Sequence, residues 1–555
     1  MRQFTPTTEV DFVVIGSGAA GGIMAKQLST AGLKVVVLEQ GGWGKYGHEQ
    51  DYTKDEWLND NPRDEDRLMS DPTRQRNTFR KTDKDKATAG THSYGCVVGG
   101  GTVTYGGSSW RHLPYEFNEA TTVGTIAGTG MADWPISYAE LEPYYTQAEW
   151  ELGIAGQRVN SPFVAPMTKD YPVPPMPLKA SGALFKAAAA KLGLTVVEGA
   201  VAIISKPYMG RSACVNCGMC SGFGCHVKAR SSTAVTMIPA ALKSGNCEVR
   251  TNSYVREIST DASGRVTGVT YFDANKREVF QRAKAVVLSA NAGESARLLL
   301  MSKSARFPNG LANSSGIVGR YLMLGNGASA SAIFEHPLND YKGIVTGAGI
   351  VDYVPSDPKR GFYGGGRMTA RGFDTPINYG LRGLMPGAPR WGAGYKKALR
   401  EEATHKMTVS CFVTQLPLET NRVDLDPEVK DEWGLPAMRI TSTSHPDDFK
   451  NMEFFRQKSI EVLEAAGGKR IFAPPVNDSR GGAHNRGTCR MGNDPKTSVV
   501  NKFHRAHDVP NLFIVDGSNL VTGGRNHPTM TIQALAFRAA ENIIRAAKAG
   551  TLTRL

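Results

Sequence analysis

Two sets of residues have types and spacings that could do chemistry. The first is Gly16-Ser17-Gly18-Ala19-Ala20-Gly21, which follows the apolar run VDFVVI and opens a helical stretch. In such a motif the first glycine permits a tight turn, the second lets the backbone approach a pyrophosphate, and the third lets the helix pack close to the sheet. The phosphates then rest on the helix N-terminus, where unpaired amides and the helix dipole favour anions. Glu39 lies 23 residues after Gly16, close to the spacing of an acid that hydrogen-bonds a ribose hydroxyl. An acid at that place disfavours a 2′-phosphate, so this motif alone leaves FAD and NAD open. The second set is Cys214, Cys217, Cys220 and Cys225, a C-x2-C-x2-C-x4-C run. Thiolates at period three resemble an iron–sulfur ligand run, whose last spacing is usually three. A [3Fe-4S] or [4Fe-4S] cluster that moves electrons singly is one reading. A zinc site is another, although C-x2-C pairs normally need a second, distant pair. The third is a glycine-rich turn carrying inert thiols or local disulfides.

These residues need elements to position them. Val10–Ile15 reads as a buried parallel strand, 23–32 as a helix and 34–38 as a second strand, which together make a βαβ unit. Residues 45–86 are polar and read as a long surface excursion, a candidate partner-facing loop. A glycine-rich stretch runs over 95–107, and the proline-rich residues 161–178 read as an extended connector. A buried strand is expected at 285–290 with a helix at 294–303. The stretch 326–470 reads as short, glycine-punctuated strands with few helices, the pattern of an antiparallel sheet. A strand at 512–515 and a helix at 530–547 close the chain.

Composition narrows the classes. Glycine is 61 of 555 residues, or 11%, against about 7% in average usage. No Gly-X-Y period accompanies it, so collagen is excluded and the glycines serve turns and close backbone approaches. Eight cysteines are too few for a disulfide scaffold. The chain carries 65 basic and 52 acidic residues for a net charge of +13. The basic residues are scattered and no nucleic-acid module appears, so nucleic acid is not an expected partner. No apolar run reaches the length of a membrane span. The first apolar run is already the first strand, so no export signal of the chain's own is expected.

Further motifs carry a resemblance. GCVVGGGTVTYGGSSWRHLP at 95–114, SANAGESARLLLMS at 289–302, HNRGTCRMG at 484–492, VPNLFIVD at 509–516 and NHPTMTI at 526–532 occur in this order along nearly the whole chain. They resemble the signatures of the glucose–methanol–choline (GMC) flavoprotein oxidoreductases. Within that family the cysteine run, residues 421–440 and residues 491–501 resemble flavoprotein subunits of sugar and sugar-acid dehydrogenases of the gluconate 2-dehydrogenase type.

The resemblance implies an α/β fold: a discontinuous Rossmann-like FAD-binding domain with an antiparallel-sheet substrate-binding domain. The first part would span 1–325, with excursions at 45–90 and 130–195. The substrate domain would span 326–474, and 475–555 would complete the FAD domain. His484 matches the family's catalytic base and His527 its partner, with Asn485 and Asn526 as polar support. Gly16, Gly18, Ala19, Ala20, Gly21, Glu39, Gly99, Gly100, Gly101, Thr102, Val255 and Thr529 would meet FAD. Asp516 and Gly517 would meet the ribityl–phosphate region, although Asp516 also reads as a helix cap. Thr104 stands where many relatives carry His or Asn, so the FAD is expected to be non-covalent. The expected activity is oxidation of an alcohol on a sugar, sugar acid or polyol, with electrons passed to a cytochrome c subunit or quinone. The alternatives are an O2-using alcohol oxidase without a cluster and a non-catalytic electron-transfer or assembly subunit. A small signal-bearing subunit would give co-export to the periplasm; without one, residence is cytoplasmic. Cys96, Cys247, Cys411 and Cys489 are isolated and read as core residues.

Overall fold

The computed structural model describes residues 3–43, 68–218, 220, 222–371, 379–380, 384–479 and 484–552. Its first layer is a parallel sheet in the order Cys247–Arg250, Val35–Leu38, Val10–Ile15, Glu278–Leu288 and Leu512–Ile514. Val10–Ile15 and Val35–Leu38 are nearly continuous apolar runs because a parallel sheet is covered on both faces. The helix Gly21–Thr30 crosses between them, with Met237–Lys243 and Thr529–Lys548 packed beside it. The expected βαβ unit and closing helix therefore form, with ends shifted by one or two residues.

Glu278–Leu288 begins earlier than the sequence implies and belongs to two arrangements. Residues 278–282 pair antiparallel with Val266–Phe272, which in turn pairs with Tyr254–Thr260. Residues 283–288 pair in parallel with the first strand, and 286–288 also with the last. One strand thus carries the chain from a surface meander into the buried layer.

The second layer is an antiparallel sheet of seven strands. Its order is Arg470–Phe472, Asn326–Ile333, Lys406–Val413, Gly366–Arg371, Thr346–Ile350, Val196–Val201 and Ala155–Gly156. Two of these strands come from before residue 326. The period-two alternation of a strand divides its faces. Ala328, Ala330, Ala332, Met368, Ala370, Met407, Val409 and Val413 join a buried cluster with Met452 and Phe455. The alternate positions Arg367, Thr369 and Arg371 stand opposite Phe412, Ser410 and Thr408 and make the other face polar.

The helix Pro446–Ala465, 20 residues long, covers the apolar face. The expectation of few helices in this stretch misses it and also Gly392–Ala403. Its start was legible as His-Pro-Asp-Asp. The His445 ring accepts the Asp447 N–H at 3.1 Å, and the His445 N–H donates to Asp448 at 3.0 Å, a reciprocal cap. Within the stretch read as a surface excursion, Asn77–Arg80 is a mostly buried strand. It pairs in parallel with Pro436–Thr441 in a third, four-stranded sheet. Residues 45–67 of that excursion lie outside the described residues. Among the described residues no helix is long and apolar enough to cross a membrane.

Phe455 is fully buried between its helix and the antiparallel sheet. Truncating such a side chain costs about 3–5 kcal/mol. Phe455→Ala is therefore expected to lower the thermal unfolding midpoint clearly; an unchanged midpoint contradicts the packing described.

Candidate active site

A cavity of about 560 Å³ lies where the carboxyl ends of the parallel strands meet the antiparallel sheet. Its floor is the loop after the first strand, which includes Gly16, Gly18, Ala19 and Ala20. Gly16 has φ +91°, and a β-carbon there would stand 2.5 Å from the Ser289 carbonyl oxygen. A β-carbon on Gly21 would lie 2.0 Å from the Gly16 carbonyl oxygen, so Gly21 serves helix packing behind the cavity and does not line it. The helices Gly21–Thr30 and Thr529–Lys548 both start at the cavity, bringing unpaired amides and positive dipole ends to it.

Ser17, which the sequence reading missed, is the hub of the floor. Its Oγ donates to Glu39 at 2.7 Å, its N–H donates to the same carboxylate at 3.1 Å, and the Gly99 N–H donates to Ser17 Oγ at 3.0 Å. The Gly41 N–H supplies a third bond to Glu39 at 3.0 Å. Burial pushes the Glu39 carboxyl up, and these donors pull it back. Its oxygens therefore face the cavity already oriented, with lone pairs to spare. Ser17 was legible as the one polar side chain inside the glycine motif.

The second glycine run forms the opposite lip. Gly100, Gly101 and Thr102 line the cavity, whereas Gly99 sits behind them against Ala234 and Val103. The Thr102 hydroxyl donates to the Gly99 carbonyl at 2.6 Å. A β-carbon at Gly101 would meet no atom within 4 Å, so the space beside it is left for something other than protein. Val255, Gly517 and Thr529 also line the cavity. Asp516 lines it and fulfils its alternative reading as well. It caps the short turn Gly517–Asn519 through the Ser518 N–H at 2.8 Å and accepts the Ser295 hydroxyl at 2.6 Å.

His484 and His527 meet at the sheet side. Their ring centroids are 4.8 Å apart and the rings are nearly perpendicular at 83°. Phe412, from the polar face of the antiparallel sheet, stacks on His527 at 5.0 Å and stands edge-on to His484 at 4.8 Å. The two histidines, which are far apart from Phe412 in sequence, are held by local pins. Arg486 and Met323 exchange backbone hydrogen bonds of 2.9 Å, and the Thr488 hydroxyl donates to the Ala292 carbonyl at 2.7 Å. The Asn526 amide donates to the Arg111 carbonyl at 3.2 Å, and Asn485 contacts the His92 ring at 3.0 Å. Both asparagines thus position the backbone that bears the histidines.

Neither imidazole has a hydrogen-bond partner among the described residues. Loss of water and the nearby guanidinium groups of Arg486 and Arg371 bring His484 down to about 3. Burial, His484, Arg371, Arg367 and Arg486 likewise hold His527 well below the ordinary histidine value. Both rings are therefore neutral at physiological pH and have nitrogen lone pairs available. Arg367, Arg371 and Phe412 were not foreseen, because alternation along a strand does not say which polar face is wet.

The cysteine run lies at the cavity rim, where Gly222 is part of the lining. The sulfurs are used as acceptors. Arg230 donates to Cys220 Sγ at 3.5 Å, and backbone N–H groups reach Cys225 and Cys214 at 3.4 Å. Burial pushes the Cys214 thiol up to about 11 and Cys220 also upward. No disulfide forms among the cysteines of the described residues, and no group of three or more His, Cys, Asp or Glu is arranged there to hold a metal. Of the readings open for Cys214, Cys217, Cys220 and Cys225, the iron–sulfur ligand set is not supported by the arrangement of the described residues.

Comparison with known proteins agrees with this geometry. Models of the GMC oxidoreductase family match residues 10–324 and 417–536. The chain is 37% identical to a 2-methyl-1,2-propanediol dehydrogenase of Mycolicibacterium austroafricanum, over 98% of this chain and 96% of that one. It is 31% identical to a gluconate 2-dehydrogenase flavoprotein of Pantoea cypripedii, over 96% and 93% of the two chains. The fold superimposes on a crystal structure of formate oxidase with a TM-score of 0.69 at 14% identity, covering 99% of this chain and 100% of that one.

Two outcomes follow from the cavity. Gly101→Leu should fold normally, because its β-carbon meets nothing, yet lose most bound flavin on purification; full flavin content contradicts the cradle. The acid limb of kcat/KM should lie well below pH 6.5, because His484 stays unprotonated until about pH 3. An acid-side apparent pKa at or above 6.5 contradicts it. The unfolded chain binds this proton near 6.5 and the folded one does not, so stability falls as pH drops below 6.5.

Proposed function

The chain belongs to the GMC oxidoreductase family, enzymes acting on CH–OH donors, and on that footing we propose that it is a FAD-dependent dehydrogenase of a sugar, sugar acid or comparable polyol. Flavoproteins of this family bind FAD. The glycine floor, the open space beside Gly101, the oriented Glu39 carboxylate and the two helix N-termini fit such a dinucleotide. Residues 1–325 and 475–555 would form the cofactor domain, since all five parallel strands come from them. Residues 326–474 supply most of the substrate-facing sheet. Thr104 offers no nucleophilic ring to a flavin, which supports a non-covalent cofactor.

The observation that carries the reading is the neutral histidine pair at the cavity wall. FAD held by the glycine floor and Glu39 would supply the acceptor for the hydride that leaves the carbinol carbon. The residues do the rest. An unprotonated ring nitrogen of His484 takes the hydroxyl proton, and His527 orients the alcohol oxygen. The guanidinium group of Arg371, which lines the cavity, favours the negative charge that develops on that oxygen as its proton leaves. Phe412 keeps both rings in place and helps exclude water. Electrons then pass to a separate acceptor, a cytochrome c subunit or a quinone.

Anaerobic mixing with gluconate, fructose, glycerol or 2-methyl-1,2-propanediol should bleach the flavin absorbance with at least one of them. His484→Ala should slow that bleaching about 10²–10⁴-fold, the usual contribution of a positioned base; retained bleaching removes His484 from this role. An artificial acceptor should reoxidise the enzyme much faster than O2. Equal rates favour an alcohol oxidase instead.

A further inference from the structure

We propose that the substrate is a hydroxy acid whose carboxylate is held by Arg367 in a side chamber beyond the histidine pair. This rests on the dehydrogenase reading and specifies its substrate class. The chamber measures about 60 Å³ and is walled by Arg367, Thr369, Arg371, Ser410 and the two histidines, among others. His484, His527 and Arg371 also line the main cavity, whereas Arg367 lines only the chamber. The imidazoles are therefore a shared wall with Arg367 on its far side.

Arg367 is 4% exposed and makes no hydrogen bond or ion pair among the described residues. Its guanidinium lies 3.7 Å over the ring of Trp110, and desolvation brings it down to about 10. The other buried guanidinium groups show what is missing. Arg111 is paired with Glu149 and Glu142, Arg297 with Asp431 and Arg525 with Glu119. A buried cation without a counterion is costly and rarely kept. Arg230, Arg490 and Arg486 also lack a carboxylate partner, but Arg230 and Arg490 donate to backbone carbonyls, and Arg486 faces Phe412 and lines neither space. Glu116, a carboxylate whose charge acts on Arg367, is already bonded to the backbone N–H groups of Leu113 and Arg525.

Volume selects the anion's place in the substrate. A water needs roughly 10–15 Å³ of such cavity volume, so a chamber of about 60 Å³ admits a group the size of a carboxylate. The carbinol then lies at the histidines with the carboxylate a few bonds away. Guanidinium matches carboxylate oxygens in planar, charge-assisted pairs.

The test uses the flavin-loaded enzyme and acetate, which cannot be oxidised as an alcohol. Acetate should produce a saturable change in tryptophan fluorescence. Acetamide should not produce it, Trp110→Phe should abolish it, and Arg367→Gln should weaken binding ten-fold or more. Arg367→Lys, which keeps the charge, should recover part of it. In turnover, gluconate and glycerate should exceed their own amides in kcat/KM by about 10² or more, and Arg367→Gln should cut that preference at least ten-fold. No saturable acetate effect, an effect unchanged in Arg367→Gln, equal turnover of acids and amides, or equal binding of chloride each overturns the proposal. Failure of the underlying reading looks different. If acetate binds through Arg367 but no alcohol or acid bleaches the flavin, dehydrogenation is wrong while the carboxylate site stands. If neutral alcohols alone are oxidised, the reverse holds.

Discussion

Two imidazoles are kept uncharged inside a field of guanidinium groups with no carboxylate named among the groups acting on them. The proton acceptance proposed for His484 depends on that constraint, and the constraint depends on both layers of the molecule. The histidines come from the segment before the last strand and from the turn into the last helix. The cations come from the antiparallel sheet and from the segment paired with Met323. A carboxylate beside either ring would stabilise its protonated form and remove the lone pair that alcohol oxidation requires. Acids are plentiful in the chain, and they are spent elsewhere. Glu149, Glu119 and Asp431 are bound to Arg111, Arg525 and Arg297.

Those three pairs act as struts. Arg111 ties the second glycine run to the helix Tyr138–Leu152, Arg525 ties the loop before His527 to Glu119, and Arg297 ties the helix Ala292–Met301 to the turn at Asp431. Buried ion pairs of this kind add little net stability against apolar replacements, because desolvation offsets their attraction. Their directional bonds fix register instead. Here they fix the loops that border the cavity, where apolar contacts alone would leave room for sliding.

The parallel layer was legible because its signals are local and agree with each other: apolar runs of strand length, glycines at the turns, and an acid at the second strand's end. The family motifs likewise led to His484 and His527 by position. Three things were not legible. Ser17 was overlooked as an unremarkable residue between glycines, although its hydroxyl joins three segments. Arg367 and Arg371 alternate with Met368 and Ala370 as any half-exposed strand would, and only the assembled sheet shows that both border the spaces at the histidines. The cysteine run stayed open between a cluster, zinc and inert thiols, because spacing along the chain does not report how the sulfurs are arranged in space.

The strand Glu278–Leu288 has one more consequence, for how the chain is made. Its inner half is flanked by Val10–Ile15 on one side and Leu512–Ile514 on the other. Between Leu288 and Leu512 lie 223 residues. At 5–20 residues per second a ribosome needs roughly 11–45 s to supply them. Throughout that interval an apolar strand edge waits without its neighbour, the situation in which nascent chains aggregate. The cofactor cradle is thus begun at Val10–Ile15 and closed only when Leu512–Ile514 has emerged. Holding that edge in the meantime is a task for a chaperone or for the antiparallel sheet as it folds.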